Sequence, residues 1–564
     1  MGAAVTTALD LAAIYAEAQQ RKDFRKQQRY ARPLVRLWDG DWNLRGICGA
    51  EVSADFRWVL NQSGTGMLVL PYDYYLAKWA VDINGRTKQN VHITVDKDGA
   101  RWDGRLEKAV IKTDEHGVTT VELLFMHSYQ ELKHIYCWSN PFLPAAVQFP
   151  REFLLAGPSV WVLKTALHVN LLRLEASLDW ALPDDPMDSG EWGNLDQSQW
   201  RVVVKPSDFL SDTSMWTIFG SRFRNFHEAA AGTLETAQLA VVTRRWLRGD
   251  PEPWPGANLR HGCLVVDIVD KSGFWTGTST GGNMWDGLKH TMQVLDNTLL
   301  DYSPDVLPDQ NVPELYKNPG WMGTLPSNPW VVYRQNEHTG IQTSQFVVNP
   351  SSAVQILTGG HSMPGVNEAI SSAIQFVGMV TAGALGEVPF VGPILAGVAN
   401  GTTAVVDTIA MALLSDTLLA WMSFQSPQRA LNSGWSHYYE HFENSADRAY
   451  TLGSLLTLGE GLWKTRRHFT HKFTVANGEP YLIGDQGQGH FFLGDRVGST
   501  VKGMPEGSIY VDQVTELELA WSRTASPAWQ VTVGSDRDHD MPFAKSMRVV
   551  ADIVDDIHAL AVQM

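Results

Sequence analysis

Hydrophobic positions change period several times along the chain, and each change predicts an element. Over residues 4–31, Leu9, Ala12, Ile14, Ala16 and Phe24 fall at helical spacing, so an amphipathic helix is expected, stopped by Pro33. Its second half, RKDFRKQQRYAR, is basic and reads as a solvated or partner-facing arm. From Leu34 the pattern turns to β. LVRLWDGDWNLRGIC sets the turn Asp39-Gly40-Asp41 between two strand-like runs. Val91, Ile93 and Val95 alternate before the turn Asp96-Lys97-Asp98-Gly99. ARWDGRLEKAVIKT follows, then the turn Asp114-Glu115-His116-Gly117, and residues 118–125 close a meander. Asp-Gly and His-Gly supply the positive φ that such turns need. Consecutive hairpin strands predict a small antiparallel barrel or sandwich.

The middle of the chain mixes periods. HSYQELKHIY (127–136) reads as a short helix, and residues 159–178 as a longer one with a wide apolar stripe. PDDPMDSGEWGN (183–194) is a loop or boundary. WRVVVKPSD predicts a strand, RNFHEAAAGTLETAQLAVVTRRWLRG (224–249) a helix, and HGCLVVDIVDKSG a strand, an order suited to an α+β region. Residues 302–330, rich in Pro and Asn, are expected as an ordered surface loop. Residues 446–469 read as a helix, after which FTVANGEPYLIGDQGQGHFFLGDRVGSTVKG and its successors resume short alternating strands. A short helix over 552–563 is expected to finish the chain. The fold class is therefore α+β and multidomain: small antiparallel β-barrel modules with α-helical insertions and an apolar helical hairpin. The expected domains are an N-terminal arm (1–33), a first β-barrel domain (34–150), an α+β middle domain (151–364), an apolar helical segment with a following helix (365–470), and a C-terminal β-module (471–564).

The apolar segment is the most unusual feature. Between Gly365 and Phe424 only Glu368, Glu387, Asp407 and Asp416 are charged. Its charge-free runs, 369–386 and 388–406, are each near the ~18 residues at which a membrane span becomes possible. Polar residues interrupt the first, Pro389, Pro393 and Asn400 break the second, and no Lys or Arg flanks either closely. Two or three Gly/Ala-rich helices are expected instead. Their plug-forming or membrane-active positions are Ile370, Phe376, Val377, Val380, Val388, Phe390, Val391, Ile394, Leu395, Leu413, Leu414, Leu418, Leu419 and Trp421. The plainer reading is a buried hairpin in a larger assembly. The sharper one is a segment that starts protected and later enters a host membrane, and a constitutive membrane protein is the third.

Composition narrows the function. The chain has 564 residues and a net charge of −16, which argues against broad nucleic-acid binding. Cys48, Cys137 and Cys263 lie far apart without CxxC spacing, which fits assembly in a reducing cytoplasm. The N-terminus has no basic region and no cleavage pattern, so no signal peptide is expected. The 22 tryptophans read as buried anchors and interface residues, with glycan stacking as a second use. One stretch has a catalytic spacing: His437-Tyr-Tyr-Glu-His441 has the HxxEH order in which two histidines one helical turn apart hold Zn²⁺ and the glutamate activates water, with Glu443 or Asp447 as a third ligand. A packed, aromatic helix start gives the same letters. His468/His471 and Asp536–Asp540 have weaker metal-like spacings, and no GxSxG elbow or P-loop occurs. No catalytic, metal or cofactor site is assigned.

RPLVRLWDGDWNLRGIC, VHITVDKDGARWDGRLEKAV, FPREFLLAGPSVWVLKTALHVNLLRLE, GEPYLIGDQGQGHFFLGDRVGS and IYVDQVTELELAW together resemble the minor tail protein family of long, non-contractile-tailed phages of mycobacteria and related actinobacteria. The resemblance implies a baseplate or tail-tip hub, a threefold ring of β-barrel domains that closes the tail tube and opens for DNA ejection. It implies a homotrimer in the virion tail tip, assembled in the host cytoplasm. Implied neighbours are distal tail and tail-tube proteins, the tape-measure protein and other minor tail proteins, with the host envelope or membrane as a further contact and DNA met only in passage. The rival expectations are a tail-associated zinc peptidase acting through His437, Glu440 and His441, and a peripheral receptor- or glycan-binding tail protein that uses exposed tryptophans.

Overall fold

The computed structural model describes residues 11–176, 193–273, 313–318, 320–335, 339–359, 421–443, 458, 461–462, 464–504 and 509–534. The chain is mixed α+β and mostly sheet. It divides into two compact units, one of residues 1–290, 304–347 and 470–538, the other of residues 291–303, 348–469 and 539–564.

In chain order, α1 (Leu11–Tyr30) precedes the hairpin of β1 (Leu34–Asp39) and β2 (Leu44–Cys48). The Asp39 carboxylate sets that turn by accepting from the backbone N–H groups of Asp41 and Asn43, at 3.0 and 2.9 Å. β3 (Ser53–Val59), β4 (Thr65–Pro71) and the short α2 (Tyr75–Val81) follow, then the meander of β5 (Val91–Lys97), β6 (Ala100–Thr113) and β7 (Thr119–His127). Asp98 and Gly99 join β5 to β6 with φ of 50° and 76°, the two positive values of a tight primed turn. Next come β8 (Tyr136–Cys137), β9 (Phe153–Pro158), α3 (Ser159–Glu175), β10 (Val202–Val204), β11 (Trp216–Ser221), β12 (Arg224–Asn225), α4 (Phe226–Thr236), β13 (Leu239–Arg245) and β14 (Leu264–Asp270). The first free N–H groups of α3 are taken by side chains from far along the chain: Val160 donates to Ser214 Oγ and Trp161 to Asp212 Oδ2. β15 (Val332–Arg334), β16 (Ile341–Asn349), β17 (Ala353–Gly359), β18 (Trp421–Gln425), α5 (Pro427–Ser433), β19 (Tyr438–Phe442), β20 (His468–Ala476), β21 (Arg496–Thr500), β22 (Tyr510–Ser522) and β23 (Ala528–Gly534) complete the described elements.

One 13-stranded sheet organises the first unit. Its main path runs β16-β20-β23-β22-β3-β4-β7-β6-β5-β1-β2, with β21 on β22 and β15 on β21. The two β-regions expected as separate modules thus share one sheet. The joint is the antiparallel pair β3–β22, in which Phe56 faces Leu519 and Trp58 faces Leu517. All four side chains are buried in one core cluster that also takes in Val35 of β1 and Phe473 of β20. The sheet curls far enough for the β5–β6 turn to meet the loop after β20, where Asp485 N donates to Asp98 O at 3.0 Å. A Cβ on Gly99 would lie 2.1 Å from Asp485 O, so only glycine permits this approach. No ladder closes any sheet among the described residues, so the expected closed barrels are not seen there.

A second core in this unit packs α3 and α4 against β9–β14. The helix expected over 224–249 ends early. α4 stops at Thr236, Gln238 takes a φ of 50°, and the β-branched run that follows pairs with β14 as β13. The short helix at 127–136 is a 3-10 turn over Ser128–His134, and the longer one is helical over Ser159–Glu175.

In the second unit β17 lies between β18, antiparallel, and β19, parallel. Ile356 and Met422 on one face pack with Leu458 and Leu462. The end of the expected apolar helices, from Trp421 to Phe424, is strand, held by its antiparallel ladder to β17, with Met422 alone of the four buried. WSHYYEHF likewise forms β19 rather than a helix start. Within 446–469, Leu458 is helical, and strand begins at His468. The expected helix over 552–563 and the metal-like run Asp536–Asp540 lie outside the described residues.

Candidate functional site

Ladder pairing between β17 and β18 places the two ends of the apolar segment together. Gly359 is the last partner in β17 and faces Trp421, the first in β18. Residues 360–420 therefore leave and re-enter the same small sheet at adjacent strand ends. Of the candidate positions, Trp421 is described: it is 55% exposed, with its ring 5.6 Å from that of Phe442. Ile370, Phe376, Val377, Val380, Val388, Phe390, Val391, Ile394, Leu395, Leu413, Leu414, Leu418 and Leu419 lie outside the described residues. Among the described residues no helix is long and apolar enough to cross a membrane.

The solvent-facing side of this sheet is mixed in character. Gln425, Gln355 and Glu440 lie side by side across β18, β17 and β19, and Gln425 Nε2 donates to Gln355 Oε1 at 2.9 Å. Trp421 and Phe442 flank this polar row on one side and Tyr438 on the other, exposed by 39% at Phe442 and 76% at Tyr438. Beside the row is a hollow of ≈ 610 Å³ bounded in part by Pro427, His437 and Tyr439.

The HxxEH spacing does not make a helical metal pair. His437 precedes β19 and sits 2.7 Å from Gly434 O through Nδ1, and His441 lies within β19, 3.5 Å from Glu443. Four residues of strand span about 13 Å, twice the separation of one helical turn. Glu443 is also held by Lys464 at 3.0 Å. Among the described residues no cluster of His, Cys, Asp and Glu is arranged to hold a metal ion.

In the first unit, ion pairs pin the α/β core to the large sheet beside a cleft of ≈ 230 Å³. Arg101 meets Asp96 at 2.6 Å and Asp250 at 2.5 Å. Lys271 pairs with Asp495, and Arg244 Nη1 donates to Gly99 O at 2.9 Å. Asn61 acts as one residue of strand edge, accepting from Val241 N and donating to Leu239 O, both at 2.8 Å. Burial pushes the Asp485 carboxyl upward against the pull of Arg244 and Lys271. Burial also raises Asp270 to about 6 and lowers His127. The cleft's principal cations already have partners, so the arrangement is that of a clamp rather than a reagent.

Residues 34–535 match the Siphovirus ReqiPepy6 Gp37-like protein family. The chain is 34% identical over 569 aligned residues to "Minor tail protein Gp28" of Mycobacterium phage L5, covering 92% of this chain and 93% of that one. It is 33% identical to the protein of the same name in Mycobacterium phage D29, with the same coverage. The chain belongs to this minor tail protein family. Among solved structures, a tail protein from Neisseria meningitidis MC58 overlaps 91% of the chain at 12% identity, with a TM-score of 0.37. That overlap is too loose to bear on the fold.

In this phage minor tail protein, the described geometry brings together residues that sequence reasoning left apart. The row Gln355, Gln425 and Glu440 and its flanking rings come from three strands, two of them read as helix. Alternation in WMSFQ was the available signal. The clamp residues Arg101, Asp250, Lys271 and Asp495 carry no local signature, because the partners are far apart in sequence.

Proposed function

We propose that this tail protein is a subunit of the hub that closes the tail tube at its tip. The observation that carries the reading is the adjacency of Gly359 and Trp421: the apolar segment issues from a single fixed point of a folded subunit. Three copies meet around the tail axis, and the sheets of the first unit supply ring walls like those of a barrel. Beyond Arg105, β6 pairs only with β7, so the outer edge of residues 106–113 is free for a neighbouring copy or tube protein among the described residues. A net charge of −16 keeps passing DNA from adhering.

In this reading Ile370, Phe376, Val377, Val380, Val388, Phe390, Val391, Ile394, Leu395, Leu413, Leu414, Leu418 and Leu419 seal the lumen or pack under the tape-measure protein, and Trp421 stays in β18 at the segment's root. On contact with the host envelope the ring opens for ejection, and the segment enters the host membrane. The role is structural rather than enzymatic. Quantitative mass spectrometry of purified virions, scaled to a capsid protein of known copy number, tests the position. Three copies per particle are expected; six or more, or none, overturn the axial hub.

A further inference from the structure

We propose that the exposed face of the β18-β17-β19 sheet is a binding subsite for a neutral polysaccharide. The face is built from alternating rows. Across its middle lie Gln425, Gln355 and Glu440. Gln425 spends a donor and Gln355 an acceptor on their shared bond, which leaves the Gln355 Nε2 and the Gln425 Oε1 for a ligand. The Glu440 carboxylate has no hydrogen bond or ion pair among the described residues. Vicinal sugar hydroxyls, which both donate and accept, match this set.

Aromatic rings bracket the row. Tyr438 and Phe442 are four residues apart on β19, about 13 Å along the strand, a span suited to a short oligosaccharide. The negative face of an aromatic ring attracts the polarised C–H groups on the apolar side of a sugar ring. The opposite side of the sheet is anchored by Ile356 and Met422 in a buried cluster, so the platform is held in place before a ligand arrives. The adjoining hollow of ≈ 610 Å³ falls within the ~300–1,000 Å³ of small-ligand pockets.

Charge selects among glycans. Glu440 is the one acidic side chain in the polar row, so acidic polymers are repelled and neutral ones are not. An aliphatic lipid surface would leave the two amides and the carboxylate desolvated without partners.

The test is affinity electrophoresis of the full-length protein through gels containing soluble arabinogalactan or laminarin, with alginate as the acidic comparison. Retardation by at least one neutral polymer and not by alginate is expected. Replacing both Trp421→Ala and Tyr438→Ala should weaken that retardation about tenfold, since both stacking rings are then lost. Trp421→Phe with Tyr438→Phe keeps the rings and should retain binding. Phe142→Ala, at an exposed ring of the other unit, should leave it unchanged. No retardation by either neutral polymer, equal retardation by alginate, or equal loss in the Phe and Ala pairs would overturn the proposal. So would loss of self-association in the Ala pair, seen by sedimentation, with glycan retardation intact. That result would make the face a contact between copies.

Discussion

Asp270 closes β14 with its side chain almost wholly out of water, and the Ser272 N–H donates to it at 2.8 Å. Burial raises its carboxyl from the ordinary 3.8 to about 6. Between those values the folded chain holds a proton that the unfolded chain releases, so this group's contribution falls as pH rises from about 4 through 6 and is least favourable above 6. Asp270→Asn should therefore raise the melting temperature at pH 7, an advantage that shrinks towards pH 4; thermal melts across that range check it. His490 has the opposite sign. Burial, then Arg25 and Arg29, lower it to about 4, so its contribution is lost as pH falls below the ordinary 6.5. Such groups could not be found by pattern, because the sequence around Asp270 is that of an ordinary strand end. Desolvation is set by what packs over a side chain, and the neighbours that bury Asp270 come from other parts of the chain.

At the scale of elements, the β5-β6-β7 meander was the most legible part. Its turns are local, and Asp98-Gly99 and Gly117 adopt the positive φ their residue types favour. α3 was legible for a related reason, a sustained apolar stripe. β13, β18 and β19 were not. Each is a short run that satisfies a helical period on paper and is decided by partners: β14 and Asn61 for β13, and β17 for the other two. The HxxEH motif failed with its helix, since spacing has chemical meaning only on a known backbone. The β3–β22 joint also has no local signal, yet it carries the sheet. Phe56→Ala there should cost about 3–5 kcal/mol by opening a cavity among Trp102, Trp521 and Leu519. Chemical denaturation should show a lower midpoint, and limited proteolysis should show both β-regions becoming susceptible together.

For the whole molecule, the adjacency of Gly359 and Trp421 makes the apolar segment removable in principle without tearing the sheet. Deleting residues 366–419 spares β18. Phage carrying that deletion should assemble tails and adsorb but fail to deliver DNA, measured by electron microscopy and by DNA release into cells; absent tails would instead make the segment part of the scaffold. The β3–β22 joint has a different consequence, in the order of synthesis. Trp521 Nε1 donates to Glu51 Oε1 across 470 residues of sequence. The central sheet cannot be completed until β22 has left the ribosome, long after β3. A prematurely terminated chain lacks the middle of its main sheet and exposes unpaired edges, so incomplete products are marked for host proteases instead of entering a particle.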